Sequence, residues 1–229
     1  AREGGLVFAD KPAAMPTTPE RRGGRSLVSD VAELLGLEPA HVHADSRLDV
    51  GVSGVVVLCV DGEARKVARA AREAGLHRRV YVAIASGDVE GAATWEVPVG
   101  TVRVRGRDLP AAYGMNAQRA ETRFAAIAKA RGATLLRLEP VTGRSHQLRV
   151  HAQHAAAPLF GDKDHGGPRF AIEPSGRVVP IDRVALHALA VSLPGARGAL
   201  VGATSPVPEE LRAFWSALDG DDAAWSRVG

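Results

Sequence analysis

The sequence has little cysteine, few aromatic residues and no long apolar run. Its 229 residues include one cysteine and 4% aromatic residues, against 45% hydrophobic and 24% charged residues. A single cysteine excludes an internal disulfide, and the place of Cys59 in the apolar run 55–60 predicts a buried, unreactive thiol. No stretch of about 18 uncharged apolar residues occurs, and residues 1–8 lack an apolar signal core. We therefore expect a soluble globular protein of the cytoplasm, without a membrane span.

Several catalytic and nucleotide-binding motifs are also missing. The G-V-S-G stretch at residues 51–54 matches neither the G-x-S-x-G nucleophile elbow nor the G-x-G-x-x-G dinucleotide fingerprint, and no phosphate loop occurs. The spacing of His146, His151 and His154 does not put three imidazoles on one helical face. These absences argue against a serine hydrolase, a dinucleotide fold, an NTPase and a metal site.

Positive charge is concentrated between residues 65 and 79. The net charge of the whole chain is only +3, but this stretch has six basic side chains and one acidic side chain. Helical spacing places Arg65, Arg69 and Arg72 on one face, where they can follow a phosphate backbone. A solvated helix face without a ligand explains the same pattern equally well.

The apolar pattern mixes strands and helices without regular β-α-β alternation, which predicts an α+β fold. Predicted strands are 6–9, 55–60, 80–85, 121–128 and 134–139, and predicted helices are 26–35, 62–74 and 145–157. Alanines leave a helix at 121–128 as an alternative. Glycine and proline predict surface loops at 98–116 and 161–180. The acidic segment 219–229 predicts a flexible tail after one domain of residues 1–218.

Candidate binding and catalytic side chains are concentrated in the stretch T-G-R-S-H-Q-L-R-V-H at residues 142–151. Glycine and a small hydroxyl residue lead into a predicted helix with two arginines and two histidines. An arginine near a helix N-terminus makes an anion site. Surface ion pairing of the same arginines remains an alternative at this point.

Five short stretches, taken in order, carry a resemblance to a known family. They are S-R-L-D-V-G-V-S-G at 46–54, R-V-Y-V-A at 79–83, the stretch 142–151, P-L-F-G-D at 158–162 and L-H-A-L at 186–189. In this order they resemble the catalytic domain of the RluA family of RNA pseudouridine synthases. A-D-K-P-A at 9–13 and P-V-P-E-E-L at 206–211 look like the family's flanking segments, so the resemblance covers nearly the whole chain. It implies a mixed, largely antiparallel central β-sheet with flanking helices and a catalytic cleft.

The resemblance also implies an isomerase that acts without a cofactor or metal. Such enzymes break the bond between uracil N1 and ribose C1′, turn the base and rejoin it through C5. Asp49 matches the family's catalytic aspartate, and Tyr81 matches its active-site tyrosine. Arg149 is implied as the guanidinium that keeps this carboxylate ionised and oriented. The sequence leaves open whether the aspartate attacks C1′ or removes a proton from the sugar.

Further residues follow from the resemblance as contacts to the substrate. The expected substrate is structured RNA, ribosomal or transfer, whose target uridine is turned out of the base stack. We expect the protein to act as a monomer. The expected substrate-binding residues are Arg47, Arg144, His146, Gln147 and Leu189, and the expected contacts to the RNA backbone are Arg65, Lys66, Arg69 and Arg72.

The chain departs from the family pattern at a few positions. Ser46 and Val52 stand where the family has histidine and threonine, and K-D-H at 163–165 stands where it more often has an aromatic residue. None of the replaced groups is the nucleophile, so we expect activity, with a changed choice of RNA or a slower reaction. One alternative is a weak or inactive RNA-binding protein on the same scaffold. Another is a different sugar-active enzyme, which needs a second acid, and Asp45 is the only close candidate.

Overall fold

The contacts within the chain divide it into two compact units. The computed structural model describes residues 1–20 and 23–229. The first unit contains Ala1–Arg79 and His187–Pro206, and the second contains Val80–Leu186 and Val207–Gly229.

The structure contains fifteen strands, four α-helices and two 3-10 turns in the described residues. The strands are β1 (Arg2–Glu3), β2 (Leu6–Lys11), β3 (His43–Ala44), β4 (Ser53–Cys59), β5 (Arg78–Ser86), β6 (Ala92–Glu96), β7 (Val99–Val104), β8 (Arg107–Ala112), β9 (Met115–Gln118), β10 (Glu121–Ala130), β11 (Ala133–Pro140), β12 (Phe170–Ile172), β13 (Val178–Pro180), β14 (Leu186–Pro194) and β15 (Leu200–Thr204). The helices are α1 (Leu27–Leu35), α2 (Gly62–Glu73), α3 (Gln147–His154) and α4 (Glu209–Ala217), and the 3-10 turns are Pro39–His41 and Asp222–Arg227.

The sheet of the first unit has β4 near its centre. Its strands follow the order β1-β2-β4-β14-β15, with β3 also paired to β4. The pair β4 and β14 is parallel, and the other pairs are antiparallel. All seven residues of β4 are buried, as its apolar sequence predicted.

Helix α2 covers this sheet with small residues and turns its basic residues outward. Ala64, Ala68 and Ala71 are buried in one cluster with apolar residues of β2, β4 and β14. Their i, i+4, i+7 spacing defines one helical face. The carboxylate of Asp61 caps the helix by accepting from the N–H of Ala64 at 2.7 Å. Helix α1 begins with the predicted cap, because Ser26 and Ser29 form a capping box.

The second unit is built on the antiparallel strand order β5-β11-β10-β6. It also contains a three-stranded sheet in the order β8-β7-β9 and the hairpin β12-β13. The predicted α+β class, with a mixed and largely antiparallel sheet, is confirmed. Residues 121–128 lie in a strand, so the helix considered there is wrong. None of the helices in the described residues combines the length and apolarity needed to cross a bilayer.

The surface loop predicted at 98–116 is wrong, because these residues form the three-stranded sheet. Gly100 and Gly114 allow two backbones to approach closely, since a Cβ on Gly100 would lie 2.4 Å from the carbonyl oxygen of Gly114. Pro110 lies on β8, which is an edge strand, where a missing N–H is tolerated. The predicted loop at 161–180 likewise includes the hairpin β12-β13.

The flexible tail predicted at 219–229 is also wrong. Trp225 is only 5% exposed, and its ring lies 6.3 Å from that of Trp215. The acidic residues make specific contacts: Asp219 forms an ion pair with Arg131, and Asp221 accepts a hydrogen bond from the N–H of Ala223. Tryptophan burial and capping therefore hold a segment whose composition indicated disorder.

Candidate active site

The loop that carries Asp49 connects β3 to β4 in the first unit. Leu48 is 8% exposed and Val52 is 2% exposed, so both neighbouring side chains are anchored in the core. Asp49 between them is half-buried, and its carbonyl oxygen accepts from the N–H of Val52 at 3.0 Å. The preceding Arg47 is exposed. The sequence thus produces a tight turn that keeps one carboxylate near solvent.

The N-terminal segment holds the backbone on the first side of Asp49. The hydroxyl of Thr17 accepts from the N–H of Leu48 at 3.1 Å and donates to its carbonyl oxygen at 3.0 Å. Thr17 is 3% exposed. Water therefore cannot replace these two bonds without opening the core.

A buried lysine holds the other side of Asp49. The ammonium of Lys11, which is fully buried, donates to the carbonyl oxygens of Met15 at 2.7 Å, Pro12 at 3.0 Å and Val50 at 3.4 Å. The N–H of Ala14 donates to the same Val50 oxygen at 2.8 Å. Sequence reasoning missed Lys11 as an anchor, although the A-D-K-P-A stretch was part of the resemblance. Asp49 therefore lies between two residues whose backbone is fixed.

The basic residues of α2 are exposed, but each has a partner within the first unit. Lys66 pairs with Glu63 at 3.5 Å and Arg69 with Glu73 at 2.7 Å, both within the helix. Arg65 Nη1 lies 3.3 Å from His43 Nε2. Exposed pairs of this kind are worth little, so phosphate can compete for these cations.

Arg72 differs from its neighbours on α2. Its Nη1 donates to the carbonyl oxygen of Asp45 at 2.8 Å and pairs with the Asp45 carboxylate at 3.0 Å. The carboxylate also lies 3.1 Å from Nδ1 of His77. The structure thus gives Arg72 a role in holding the start of the Asp49 loop, and its predicted phosphate contact stays a prediction.

The contacts of Asp45 argue against the alternative of a different sugar-active enzyme in which Asp45 is the second acid. Burial by itself raises the pKa of its carboxyl, but the hydrogen bond and charge of His77 and the charges of Arg72 and Arg79 outweigh it, so the pKa is lowered. The Asp45 side chain is 5% exposed. A buried carboxylate held ionised by cations is unsuited to serve as a second acid. The alternative therefore loses its only candidate.

Tyr81 and Leu189 lie on strands, in different units. Tyr81 is 8% exposed on β5, in register with Leu138 of β11. Leu189 is half-buried on β14, and its carbonyl oxygen accepts from the N–H of Ser205 at 2.8 Å. Their predicted roles at the uracil remain predictions.

Gln147 fixes the loop that enters α3. Its Oε1 accepts from the hydroxyl of Thr142 at 2.7 Å and from the N–H of Arg144 at 3.0 Å. Its Nε2 donates to the carbonyl oxygen of Glu121 at 2.9 Å and to the hydroxyl of Thr122 at 3.0 Å. All four positions of the amide are thus used within the protein. These bonds give Gln147 a structural role in the loop, and its predicted substrate contact stays a prediction.

The same loop shortens the predicted helix and presents Arg144. Helix α3 begins at Gln147 rather than at residue 145, because His146 has a left-handed backbone with φ of 52°. Arg144 is exposed, and its Nε donates to the carbonyl oxygen of Arg119 at 3.1 Å.

Arg149 forms a buried ion pair with Asp162, which follows β11 and α3 in the chain. Burial by itself raises the pKa of the Asp162 carboxyl, but the hydrogen bond and charge of Arg149 outweigh it, so the pKa is lowered. Asp164 accepts a further bond from Arg149 Nη2 at 3.2 Å. Sequence reasoning missed Asp162 as a partner, although it closes the P-L-F-G-D stretch. The pairing of Arg149 with Asp49 remains a prediction.

His146 contacts a second histidine that sequence reasoning did not place in the site. Its Nδ1 lies 2.9 Å from Nε2 of His165. Burial lowers the pKa of His165 to about 4, so this ring is neutral near pH 7. His165 occupies part of the K-D-H stretch that departs from the family pattern. The entry of α3 is therefore held against the K-D-H stretch by a contact between two histidine rings.

The three histidines considered for a metal are used separately. His151 is fully buried, and its Nε2 lies 2.9 Å from the carbonyl oxygen of Val97. The ring of His154 contacts Tyr113 edge to face at 5.7 Å. Within residues 1–20 and 23–229, no group of three potential metal ligands converges.

Comparisons with known proteins agree on one family. The family model described as RNA pseudouridylate synthase matches residues 5–154. An uncharacterised RNA pseudouridine synthase of Mycobacterium bovis is 32% identical over 94% of this chain and 71% of its own length. The ribosomal large subunit pseudouridine synthase D of Pseudomonas aeruginosa is 29% identical over 96% of this chain and 71% of its own length.

The fold is similar to that of a solved human structure. Human RNA pseudouridylate synthase domain containing 4 superposes with a TM-score of 0.72, covering 96% of this chain and 92% of the human chain. The sequence identity of that pair is 22%, so this likeness supports the fold alone.

Proposed function

Because the chain belongs to the RluA family of RNA pseudouridine synthases, we propose that it isomerises uridine to pseudouridine in ribosomal RNA, with Asp49 as the catalytic carboxylate. The observation that carries the role of Asp49 is its anchored loop. Thr17 binds one neighbour of Asp49, and Lys11 with Ala14 binds the other. A half-buried carboxylate on a fixed backbone is preorganised for a reaction that depends on position.

One carboxylate suffices for this chemistry. In a hydrolytic glycosidase, a second acid or base manages the leaving group and the water. Here uracil leaves as a resonance-stabilised anion and is rejoined through C5, so no water takes part. Asp49 acts either by attacking C1′ or by removing a proton from the sugar. The burial of Asp45 in its own ion pair supports a reaction with a single acid.

The other predicted residues complete the proposal. Tyr81 stacks on the uracil and assists loss of the proton from C5, and Arg149 keeps the catalytic carboxylate ionised. Leu189 lines the pocket, and Arg47 fills the space that the flipped base leaves in the RNA. These roles rest on the resemblance of the motifs.

The RNA is held mainly through its backbone. Arg65, Lys66 and Arg69 of α2 are exposed and only weakly paired, which supports phosphate contacts. Arg144 and His146 supply contacts at the entry of α3. The protein works as a monomer in the cytoplasm, without a metal ion.

Ribosomal RNA is proposed as the substrate on the basis of the relatives' names. Those from Pseudomonas aeruginosa and Nitrosomonas europaea are both named ribosomal large subunit pseudouridine synthase D. Mapping pseudouridines in ribosomal and transfer RNA, from cells with and without the protein, tests the choice. Sites lost only from transfer RNA would contradict it. No contact among the described residues favours the alternative of an inactive RNA-binding protein.

The catalytic role of Asp49 is tested by Asp49→Asn. We expect this variant to bind RNA within roughly tenfold of the wild type and to form no pseudouridine, because the change removes the charge and preserves the shape. Asp88→Asn, at an exposed position with a 72% exposed side chain, is the matched control and is expected to keep activity. Continued isomerisation by Asp49→Asn would refute the assignment.

A further inference from the structure

A chain of polar groups, buried at Ser53, His187 and Ser205 and ending at the exposed Asp10, joins the C-terminal end of the Asp49 loop to the neighbouring strands of the first unit. Ser53 is the first residue of β4, and its Oγ lies 2.8 Å from Nδ1 of His187 on β14. Nε2 of the same ring lies 3.2 Å from the carbonyl oxygen of Ser205. The hydroxyl of Ser205 donates to Asp10 of β2 at 2.7 Å.

The carbonyl partner fixes the direction of these bonds. A carbonyl oxygen only accepts, so Nε2 of His187 carries the proton. In the neutral ring Nδ1 is then an acceptor, and the hydroxyl of Ser53 must donate to it. Ser53 is 4% exposed and His187 is 1% exposed, so water does not compete for either bond. This burial also excludes Ser53 as a nucleophile toward RNA.

The backbone is fitted equally closely at this position. His187 is in register with Ser53, and Ala188 with Gly54. A Cβ on Gly54 would lie 2.2 Å from the carbonyl oxygen of Ala188. The side-chain bond and the backbone pairing therefore both fix the start of β4. A short turn, closed by the bond from the Val52 N–H to the Asp49 carbonyl oxygen, connects this point to Asp49.

We propose that His187, acting through Ser53, is a positioning residue for Asp49. It fixes the point at which the Asp49 loop enters β4, whereas Thr17 fixes the backbone at Leu48 and Lys11 fixes it at Val50. His187 itself does not touch the substrate. The proposal rests on the function proposed above, because it assigns the residue to the same reaction.

Two substitutions of His187 separate its two bonds. In His187→Asn, the amide oxygen can take the place of Nδ1 and accept from Ser53, whereas the bond to Ser205 is lost. In His187→Gln, the amide nitrogen can take the place of Nε2 and donate to Ser205, whereas the bond to Ser53 is lost. Measuring kcat and KM on RNA, together with the thermal midpoint, distinguishes positioning from stability.

We expect His187→Asn to keep kcat within about threefold of the wild type and His187→Gln to lower kcat by about 10- to 100-fold with KM unchanged, because small misplacements of a reacting group are costly. Ser53→Ala should match His187→Gln, and combining Ser53→Ala with His187→Asn should lower kcat no further. Ser192→Ala, on the same strand β14, is the control and should leave kcat unchanged.

Wild-type kcat in both His187→Gln and Ser53→Ala would overturn the positioning role while leaving the proposed function intact. The role would also be overturned if His187→Asn and His187→Gln lost kcat equally, each in proportion to the drop in its thermal midpoint. If the wild-type protein forms no pseudouridine on any RNA, the proposed function fails, and this proposal fails with it. Ser53→Ala keeps the test decisive if a His187 variant does not fold.

Discussion

Arg149 and Asp162 form a buried bidentate ion pair in which Nε–Oδ2 is 2.7 Å and Nη2–Oδ1 is 2.6 Å. The Asp162 side chain is fully buried, and that of Arg149 is 6% exposed. Asp162 Oδ1 also accepts from the N–H groups of Asp164 and His165, each at 3.2 Å. The carboxylate therefore holds both the arginine and the segment after Asp162 in place.

Asp162→Asn should destabilise the protein strongly near neutral pH. Removing the buried charge of Asp162 leaves the Arg149 guanidinium without its bidentate partner and with the longer Asp164 contact, so we expect a loss of about 3 kcal/mol in the free energy of unfolding. The pKa of Asp162 is lower in the folded protein than in the unfolded chain, where it is about 3.9. The stability that the ionised carboxylate contributes is therefore complete above about pH 3.9 and is lost as pH falls through the folded pKa. The difference between variant and wild type should therefore shrink below about pH 4.

Urea unfolding across pH measures this difference. Asp164→Asn is the control, since its side chain is 37% exposed and makes only the longer bond to Arg149. It should cost less than about 1 kcal/mol. An equal cost for the two variants would contradict the assignment of Asp162 as the main partner.

His165→Gln should flatten the dependence of stability on pH. The pKa of His165 is lowered from 6.5 to about 4 by burial, so the unfolded state binds its proton first as pH falls. Wild-type stability should therefore decrease between pH 6.5 and about 4, by at most roughly 3 kcal/mol from this group. Glutamine binds no proton, and the contribution should vanish. Urea midpoints measured across pH for the wild type, His165→Gln and the exposed control His41→Gln test this. Parallel curves of midpoint against pH for His165→Gln and the wild type would contradict the prediction.

Two arginines of α2 should behave differently toward RNA. Arg69→Ala should lower the slope of log affinity against log salt by about 1, because Arg69 can exchange its exposed partner Glu73 for phosphate. Arg72→Ala should change this slope less and lower stability by about 1 kcal/mol, because Asp45 loses one of its cations. Filter binding over a salt series and urea unfolding distinguish the two, and identical slopes would contradict the distinction.

Gly54→Ala should disturb both stability and catalysis. The residue has φ of 115°, and an added Cβ would lie 2.2 Å from a backbone oxygen that cannot move away alone. We expect a loss of about 3 kcal/mol or more, with a lower kcat, because the Asp49 loop enters β4 beside this position. Gly62→Ala is the matched control, since nothing lies within 4 Å of its added Cβ and alanine favours a helix. Thermal unfolding and single-turnover assays provide the measurements.

Local sequence determined most of the elements and the identity of the candidate acid. The all-apolar run of β4, the Ser26 cap of α1 and the alanine face of α2 each follow from spacing within one segment. The motif around Asp49 is likewise local, and it indicated the family and the fold class. These features depend on neighbouring residues, which a single sequence displays directly.

The partners of the site residues were decided only by the tertiary structure. Ser53 and His187 are 134 residues apart, and Lys11 and Val50 are 39 apart. The fold also supplies four partners for the one amide of Gln147, none of which its motif predicted. Strand register brings Ser53 and His187 within hydrogen-bond distance, and register depends on packing across the sheet rather than on any one segment. The sequence therefore predicts which residue types form the site. Only the folded chain shows which of their atoms are in contact.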